Sequence, residues 1–511
     1  MGALLGKMNS PLACGSVTQI ITGRKRKREN SESSDDVSNT LSRSMNTPKK
    51  KKLLTTTQYI YQALYKEQLN SDITVLALGK TWRLHKVYLC QSSYFASMFG
   101  GSWRETNQDF VNIEIVDPKI TINAMETVFG SLYLDEVVIE PKDVTSVLAT
   151  ATLFQLDELI NRCAEVMIET VNAETSINYY EAACEYGVHS VKKSAFQWLL
   201  LNLLSFLQKH PRWLQQVNTE LMTALVSSPD LFVVQTEFTL YLLLRQWLIL
   251  KLFPDYEQMG GERPDFLKYF SSVEDNIPFL QTARGRRYDQ PFRKLRIQYL
   301  INHPLDLDVI LNDRLIPRSW LYNPIIQQWH SMLKIDHSVD SGPQESDSNV
   351  FLETCLRCGR ILQEQGFQKW RWTGFNFGLD LILITDARTL SIKRHQRPEY
   401  ERLLSMQTKR QFLLRITIAS LNDQRQAKHT QTTDIQCLSL EKNQETTLIF
   451  MDQELTYPLY ISVNLLVVSP NKIKRESTPS VPTEVNLPTD NVNENHSEPK
   501  SISESNLFSS S

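Results

Sequence analysis

The sequence predicts an α+β multidomain chain: an α/β unit, then a helical unit, then a mostly β unit, flanked by two polar tails. Three observations carry this prediction. Residues 73–99 change from two-residue to helical periodicity within one short stretch. Residues 171–300 repeat apolar positions at helical spacing. After a linker at 336–349, rich in Ser, Asp and Gly, two-residue alternation returns over 350–470.

Composition narrows the function classes. At 511 residues the chain has room for two to four domains. Its 41% hydrophobic and 22% charged content is ordinary for a soluble globular protein. A net charge of −2 gives no global field toward nucleic acid, and no nucleic-acid partner is required. The seven cysteines are odd in number and scattered, with no signal-peptide pattern, which points to a reducing compartment. The apolar run Trp198–Leu207 is too short to span a bilayer and predicts a buried helix.

Residues 1–54 lack a core pattern and are expected to be disordered. They hold two basic clusters, Arg24-Lys25-Arg26-Lys27-Arg28 and Lys49-Lys50-Lys51-Lys52, on either side of the acidic patch Ser31–Asp36. Such clusters suit the acidic grooves of nuclear import receptors; the alternative is a solvated charge run. Gly2 is a candidate for N-myristoylation once Met1 is removed, although Gly6 stands where Ser or Thr is usual. One acyl chain binds membranes marginally, so the basic clusters would have to act as the second signal.

Residues 55–170 form the α/β unit, centred on Ser71–Glu105. Ile73 and Val75 alternate as a strand, Gly79-Lys80 turns, and Trp82 and Leu84 resume the apolar face. A helix is expected from Lys86 to Phe99, ended by Gly100-Gly101. Asp72 and His85 are expected to pair with each other or with backbone groups, because burying either alone is costly. A strand at Phe110–Val116, a helix at Asn123–Tyr133, a short strand at Val137–Ile139 and two helices within Pro141–Thr170 follow. The helical unit, 171–335 with its connector, includes helices at Val191–Leu207 and Phe238–Leu252. In 350–470, alternation from Trp370 to Leu381, then at Thr389–Lys393, Phe412–Ile418, Thr447–Met451 and Leu459–Val468, predicts an antiparallel sandwich. Residues 471–511 form the second polar tail.

No catalytic constellation is present: there is no GxSxG, P-loop, HExxH or GxGxxG pattern. Cys355-x-x-Cys358 lacks the second ligand pair that zinc needs and reads as two ordinary thiols. No cofactor or metal is expected.

Asp72, His85-Lys86-Val87-Tyr88-Leu89, Ser92-Ser93-Tyr94-Phe95 and Met98-Phe99 resemble, in order and spacing, a BTB/POZ domain. The helices that follow, with Leu231-Phe232-Val233-Val234 before Glu237, resemble the BACK domain of BTB adaptors. No repeat of roughly 50 residues comes next, so kelch blades are not expected. Arg357-Cys358-Gly359-Arg360 followed by WRWTGFNFG at 370–378 resembles the germ cell-less family, BTB proteins of the nuclear envelope and germ-cell lineage.

This resemblance implies a non-enzymatic adaptor acting in germ-cell specification. Its BTB domain would dimerise and bind cullin-3, and 350–470 would hold a protein substrate for ubiquitination. The expected location is the nucleus and nuclear envelope or matrix, with cytoplasm or plasma membrane as further sites. Cullin contact is implied at Trp103-Arg104-Glu105, with Tyr94, Met98 and Tyr133 near the same surface and further contact from about Asn178–Val188. Trp103 would bury an apolar face and Glu105 accept charge-assisted hydrogen bonds, unless Trp103 packs on its own domain. Trp370, Trp372, Phe375 and Phe377 are substrate-contact candidates or sandwich core, since alternation sends neighbours to opposite faces. The other reading is a nuclear-envelope scaffold or transcription cofactor with no ligase role.

Overall fold

The computed structural model describes residues 55–101, 108–260, 264–266, 268–271, 277–336, 347–374 and 377–468. Gly2, both basic clusters, Trp103, Glu105, Phe375 and the C-terminal tail lie outside the described residues. The fold is α+β and multidomain.

The first sheet follows from alternation. β1 (Ile73–Ala77) and β2 (Lys80–Leu84) pair antiparallel, and their register turns Ile73, Val75, Ala77, Trp82 and Leu84 into one buried face. Leu78 and Gly79 both have positive φ, the two-residue turn geometry whose twist matches the flanking strands. β3 (Phe110–Asn112) adds parallel to β1 and stops after three residues, because Asn112 already faces Leu76 near the end of β1. The longer strand expected at 110–116 has no partner to run along, and 137–139 forms no strand. The helix expected from Lys86 onward is two, Lys86–Leu89 and Ser93–Gly100. Ser92 separates them: its backbone is extended, its Oγ accepts the Phe95 N–H at 3.3 Å and its hydroxyl donates to the Phe154 carbonyl at 2.5 Å.

Helices Ile122–Ser131, Val144–Leu153, Asp157–Glu169, Ser176–Glu185, His189–Asn202, Thr219–Ser227 and Glu237–Leu252 share one apolar core with this sheet, continuous from Tyr65 to Leu321. No polar layer divides the α/β unit from the helices after it. The predicted helix at 191–207 ends at Asn202, whose side chain is used elsewhere. None of the described helices is long and apolar enough to cross a membrane.

The C-terminal unit is an antiparallel sandwich of β4 (Leu356–Leu362), β5 (Gln368–Gly374), β6 (Leu379–Asp386), β7 (Thr389–Arg394), β8 (Lys409–Leu421), β9 (Ala427–Thr432), β10 (Gln436–Glu441), β11 (Glu445–Phe450) and β12 (Leu459–Val468). One sheet runs β10-β8-β12-β4, with β9 also pairing β8; the other runs β11-β7-β6-β5. Trp372, Leu381, Leu383 and Ile392 from the second sheet meet Phe412, Leu414, Ile461 and Val463 from the first. Every residue of β12 is buried, because its inner side chains fill the sandwich while Tyr460, Leu466 and Val468 pack outward against Phe232 and Phe351. A strand covered on both faces reads as a continuous apolar run.

Candidate interaction surfaces

His85 is buried at the end of β2 and is not paired with Asp72. The Leu69 carbonyl can only accept, so His85 Nε2 carries the proton in their 2.8 Å contact. Nδ1 then accepts from the Tyr133 hydroxyl at 3.0 Å, and that oxygen accepts the His85 backbone N–H at 3.1 Å. Asp72 is exposed and acts at a distance: its Oδ1 accepts the Lys86 N–H at 2.8 Å, capping the first turn of the Lys86–Leu89 helix. Both residues support the strand-to-helix junction, His85 from inside and Asp72 from the surface.

Tyr133, expected near a partner surface, is 2% exposed. Its ring stacks on Tyr88 at 4.3 Å, and burial raises its phenol above the ordinary value. It braces the surface from beneath and has no face to offer a partner. Tyr94 and Met98 are half-buried on the Ser93–Gly100 helix, where Tyr94 meets Phe95 and Phe154 edge-on. Both pack against the core of the domain.

The sandwich is fastened to the helical unit in three places. Residues 231–235 run along the outer edge of β4: Val234 bridges Gly359, and the Gln235 N–H donates to the Gly359 carbonyl at 3.0 Å. A Cβ at Gly359 would lie 2.7 Å from the Val233 carbonyl oxygen, so only glycine admits this approach. Behind it, Glu237 and Arg357 form a fully buried ion pair. Arg357 Nη1 also donates to the Val226 carbonyl at 2.7 Å and the Ser228 carbonyl at 2.9 Å. Glu237 Oε1 accepts the Arg296 N–H at 3.0 Å, while the Arg296 guanidinium donates to the Cys355 carbonyl and to Leu352. Burial, and then the neighbouring Arg357, lower the Arg296 pKa.

The third fastening is the β8–β9 hairpin. At its tip Arg425 adopts a left-handed φ of 61° and inserts into the helical unit. Arg425 Nε donates to Asn202 Oδ1 at 2.7 Å and Nη2 to the Tyr460 hydroxyl at 2.8 Å, with the guanidinium 4.6 Å from the Phe206 ring centre. Gln426 Nε2 reaches the carbonyls of Ile168, Glu169 and Val171. One hairpin therefore touches both the end of the Asp157–Glu169 helix and the helices beyond it.

The aromatic stretch divides by strand alternation. Trp372 points inward and is 7% exposed; Trp370 and Phe377 are half-buried against the same core, and Phe377 lies 5.8 Å from Tyr299. Trp372 is thus core rather than contact surface. A Cβ on Gly374 would fall 2.2 Å from its ring, which explains that glycine. The opposite face of β5 carries Lys369, Arg371 and Thr373, with both cations exposed. Cys355 and Cys358 enter separate apolar clusters. Cys355 Sγ is met by Arg296 and Asn464, and the Cys358 thiol, pushed up to about 12 by burial, faces the Val463 carbonyl. Among the described residues no group of His, Cys, Asp and Glu side chains could hold a metal ion.

The BTB/POZ domain family matches residues 61–171. Protein germ cell-less of Drosophila melanogaster is 49% identical over 532 aligned residues, covering 98% of this chain and 93% of that protein. The chain belongs to the germ cell-less family. Germ cell-less protein-like 1 of Homo sapiens is 39% identical over 436 residues, 84% of each chain. Kelch repeat and BTB domain-containing protein 2 of Homo sapiens is 25% identical over 174 residues, a third of this chain at 34% and 27% of that protein.

Within this germ cell-less family member, the junction residues had little signal in the sequence. Glu237 heads the apolar helix Glu237–Leu252 and Arg357 is the second residue of β4; both stand in motifs that carry the family resemblance, but nothing in either motif pairs them. Arg425 and Asn202 had none, because they are polar residues 223 positions apart.

Proposed function

We propose that this germ cell-less family protein is a non-enzymatic BTB adaptor in germ-cell development. Cullin-3 binds at the end of the Ser93–Gly100 helix, and the C-terminal sandwich binds a protein substrate for ubiquitination. The ligase catalyses; the adaptor raises the effective concentration of substrate at a fixed place. The observation that carries this reading is the stiff connection. A single apolar core runs from the BTB domain through the helices, and three fastenings, one of them a fully buried ion pair, hold the sandwich to that core. An adaptor needs two binding ends in constant relation, and this chain supports that need.

The deciding experiment is co-purification of cullin-3 from cells that express the full chain or its Trp103→Ala, Glu105→Ala double variant. The wild type is expected to retain cullin-3 and the variant to lose it. Equal recovery from both would remove the proposed interface. Failure of the wild type to recover cullin-3, with the chain still at the nuclear envelope, would leave a scaffold role instead. Homodimerisation through the BTB domain belongs to the same proposal and is read by light scattering. Nuclear delivery by residues 24–28 and 49–52 is tested by alanine replacement of both clusters, and membrane anchoring through Gly2 by Gly2→Ala. Unchanged imaging in either case removes that element.

A further inference from the structure

The four-stranded sheet ends at β5, and among the described residues no strand lies outside it. An antiparallel edge strand turns every second N–H and C=O away from its neighbour. The corresponding edge of the other sheet, β4, is covered by residues 231–235. β5 spans seven residues in unbroken register with β6, from Gln368 opposite Thr385 to Gly374 opposite Leu379, with neither proline nor bulge. It is long and regular enough to pair with a further strand.

Side chains on its outward face are basic. Lys369 and Arg371 are exposed on β5, and the register continues inward to Ile384 and Ile382 on β6, then to Ser391 and Lys393 on β7. Asp380 lies fully buried at one end of this face, held by Arg371 at 3.1 Å, Arg397 at 2.8 Å and His395 at 3.3 Å. Its single carboxylate orients two guanidiniums without cancelling both. Glu445, opposite Lys393, and Asp386, at the end of β6, are the other acids on the face. Edge lysines often serve only to repel stray strands. Here Arg371 is also held in place by the buried Asp380 carboxylate, which edge protection does not require.

We propose that the β5 edge takes an extended acidic protein segment as an added strand, with alternate carboxylates meeting Lys369 and Arg371. Main-chain pairing supplies affinity and the basic face selects the side chains. This rests on the proposed substrate role of the sandwich and moves that role from the indole rings to the opposite face of the same strand.

The test uses the full chain and a fluorescein-labelled peptide of about nine alternating Glu and Val residues, a length that matches the strand. Its Lys/Val counterpart and the acidic peptide N-methylated at alternate positions serve as controls. Anisotropy is expected to show the acidic peptide binding roughly tenfold more tightly than the basic one, and N-methylation removing most of that binding. Lys369→Glu with Arg371→Glu should reverse the preference; Lys369→Gln with Arg371→Gln should abolish it if the first variant folds poorly. Equal binding of acidic and basic peptides, unchanged binding after charge reversal, or full affinity of the N-methylated peptide would overturn the proposal. Displacement of the acidic peptide by a single-stranded oligonucleotide at lower concentration would also overturn it. Cullin-3 recovery by the charge-reversed chain should equal that of the wild type, so failure of the edge and failure of the ligase reading are seen separately.

Discussion

Glu237 shows how much one buried charge can depend on its neighbours. It accepts from Arg357 and from the Arg296 backbone where no solvent reaches. Removing one member of a buried pair leaves the other charge uncompensated, at a cost of about 3–5 kcal/mol. Glu237→Ala is therefore expected to lower the unfolding free energy, read from the shift of the urea midpoint, by an amount of that order, and Glu237→Gln by less. A midpoint unchanged in the alanine variant would show that the pair contributes nothing. The thiols divide in the same way. Burial raises Cys163 and Cys358 to about 12, so both stay protonated and enclosed at neutral pH. Cys90, Cys184 and Cys437 are exposed. Among these five, native labelling with a thiol reagent at pH 8 should modify the exposed three first, and Cys163 and Cys358 only after denaturant is added. Fast labelling of Cys358 would contradict its position in the sandwich.

At the scale of elements, the covered edge of β4 is the sensitive place. Gly359→Ala puts a methyl group against the Val233 carbonyl and the Phe232 ring. The expected loss is about 1–3 kcal/mol, the range for overpacking, and amide exchange at Gln235 should speed up while β6 stays protected. Equal protection at Gln235 would mean that the segment can shift without cost. Legibility also varied between elements. β7 was readable because its apolar positions follow the sheet period, and β12 because it is a continuous apolar run. β9, with the sequence AKHTQT, has no buried residue, so it carries no alternation to read. β4 contains a buried arginine and a glycine where the period calls for apolar side chains. The split between Lys86–Leu89 and Ser93–Gly100 was hidden because Ser92 exchanges helical geometry for a bond to Phe154, a residue 62 positions away.

Across the whole molecule, the hairpin that carries Arg425 sets the relation between sandwich and helices. Arg425→Ala removes its bonds to Asn202 and Tyr460 and its place over Phe206. Hydrogen bonds to a charged group contribute about 1.5–3 kcal/mol each, so uncoupling is expected. Calorimetry should show a lower-melting sandwich separating from the remaining transition, whereas the wild type should melt with the two coupled. An unchanged thermogram would mean that the covered β4 edge and the Glu237 pair suffice. Such uncoupling should also reduce substrate ubiquitination while cullin-3 recovery is preserved, since only the geometry between the two ends has changed.

By itself, the sequence determined the period of each segment, and hence the α/β, helical and β succession. It also carried the motifs Asp72, His85–Leu89, Met98-Phe99 and 370–378 that the family relationship upholds. These are local properties, set by spacing along a few turns or one strand. Tertiary structure alone decided that Tyr133 and Trp372 lie inside, that β5 turns Lys369 and Arg371 outward at an edge, and which charges are buried together. Glu237 and Arg357 are 120 positions apart, and Arg425 and Asn202 are 223. Burial and ion pairing depend on which distant surfaces the fold brings into contact, and no local pattern encodes that.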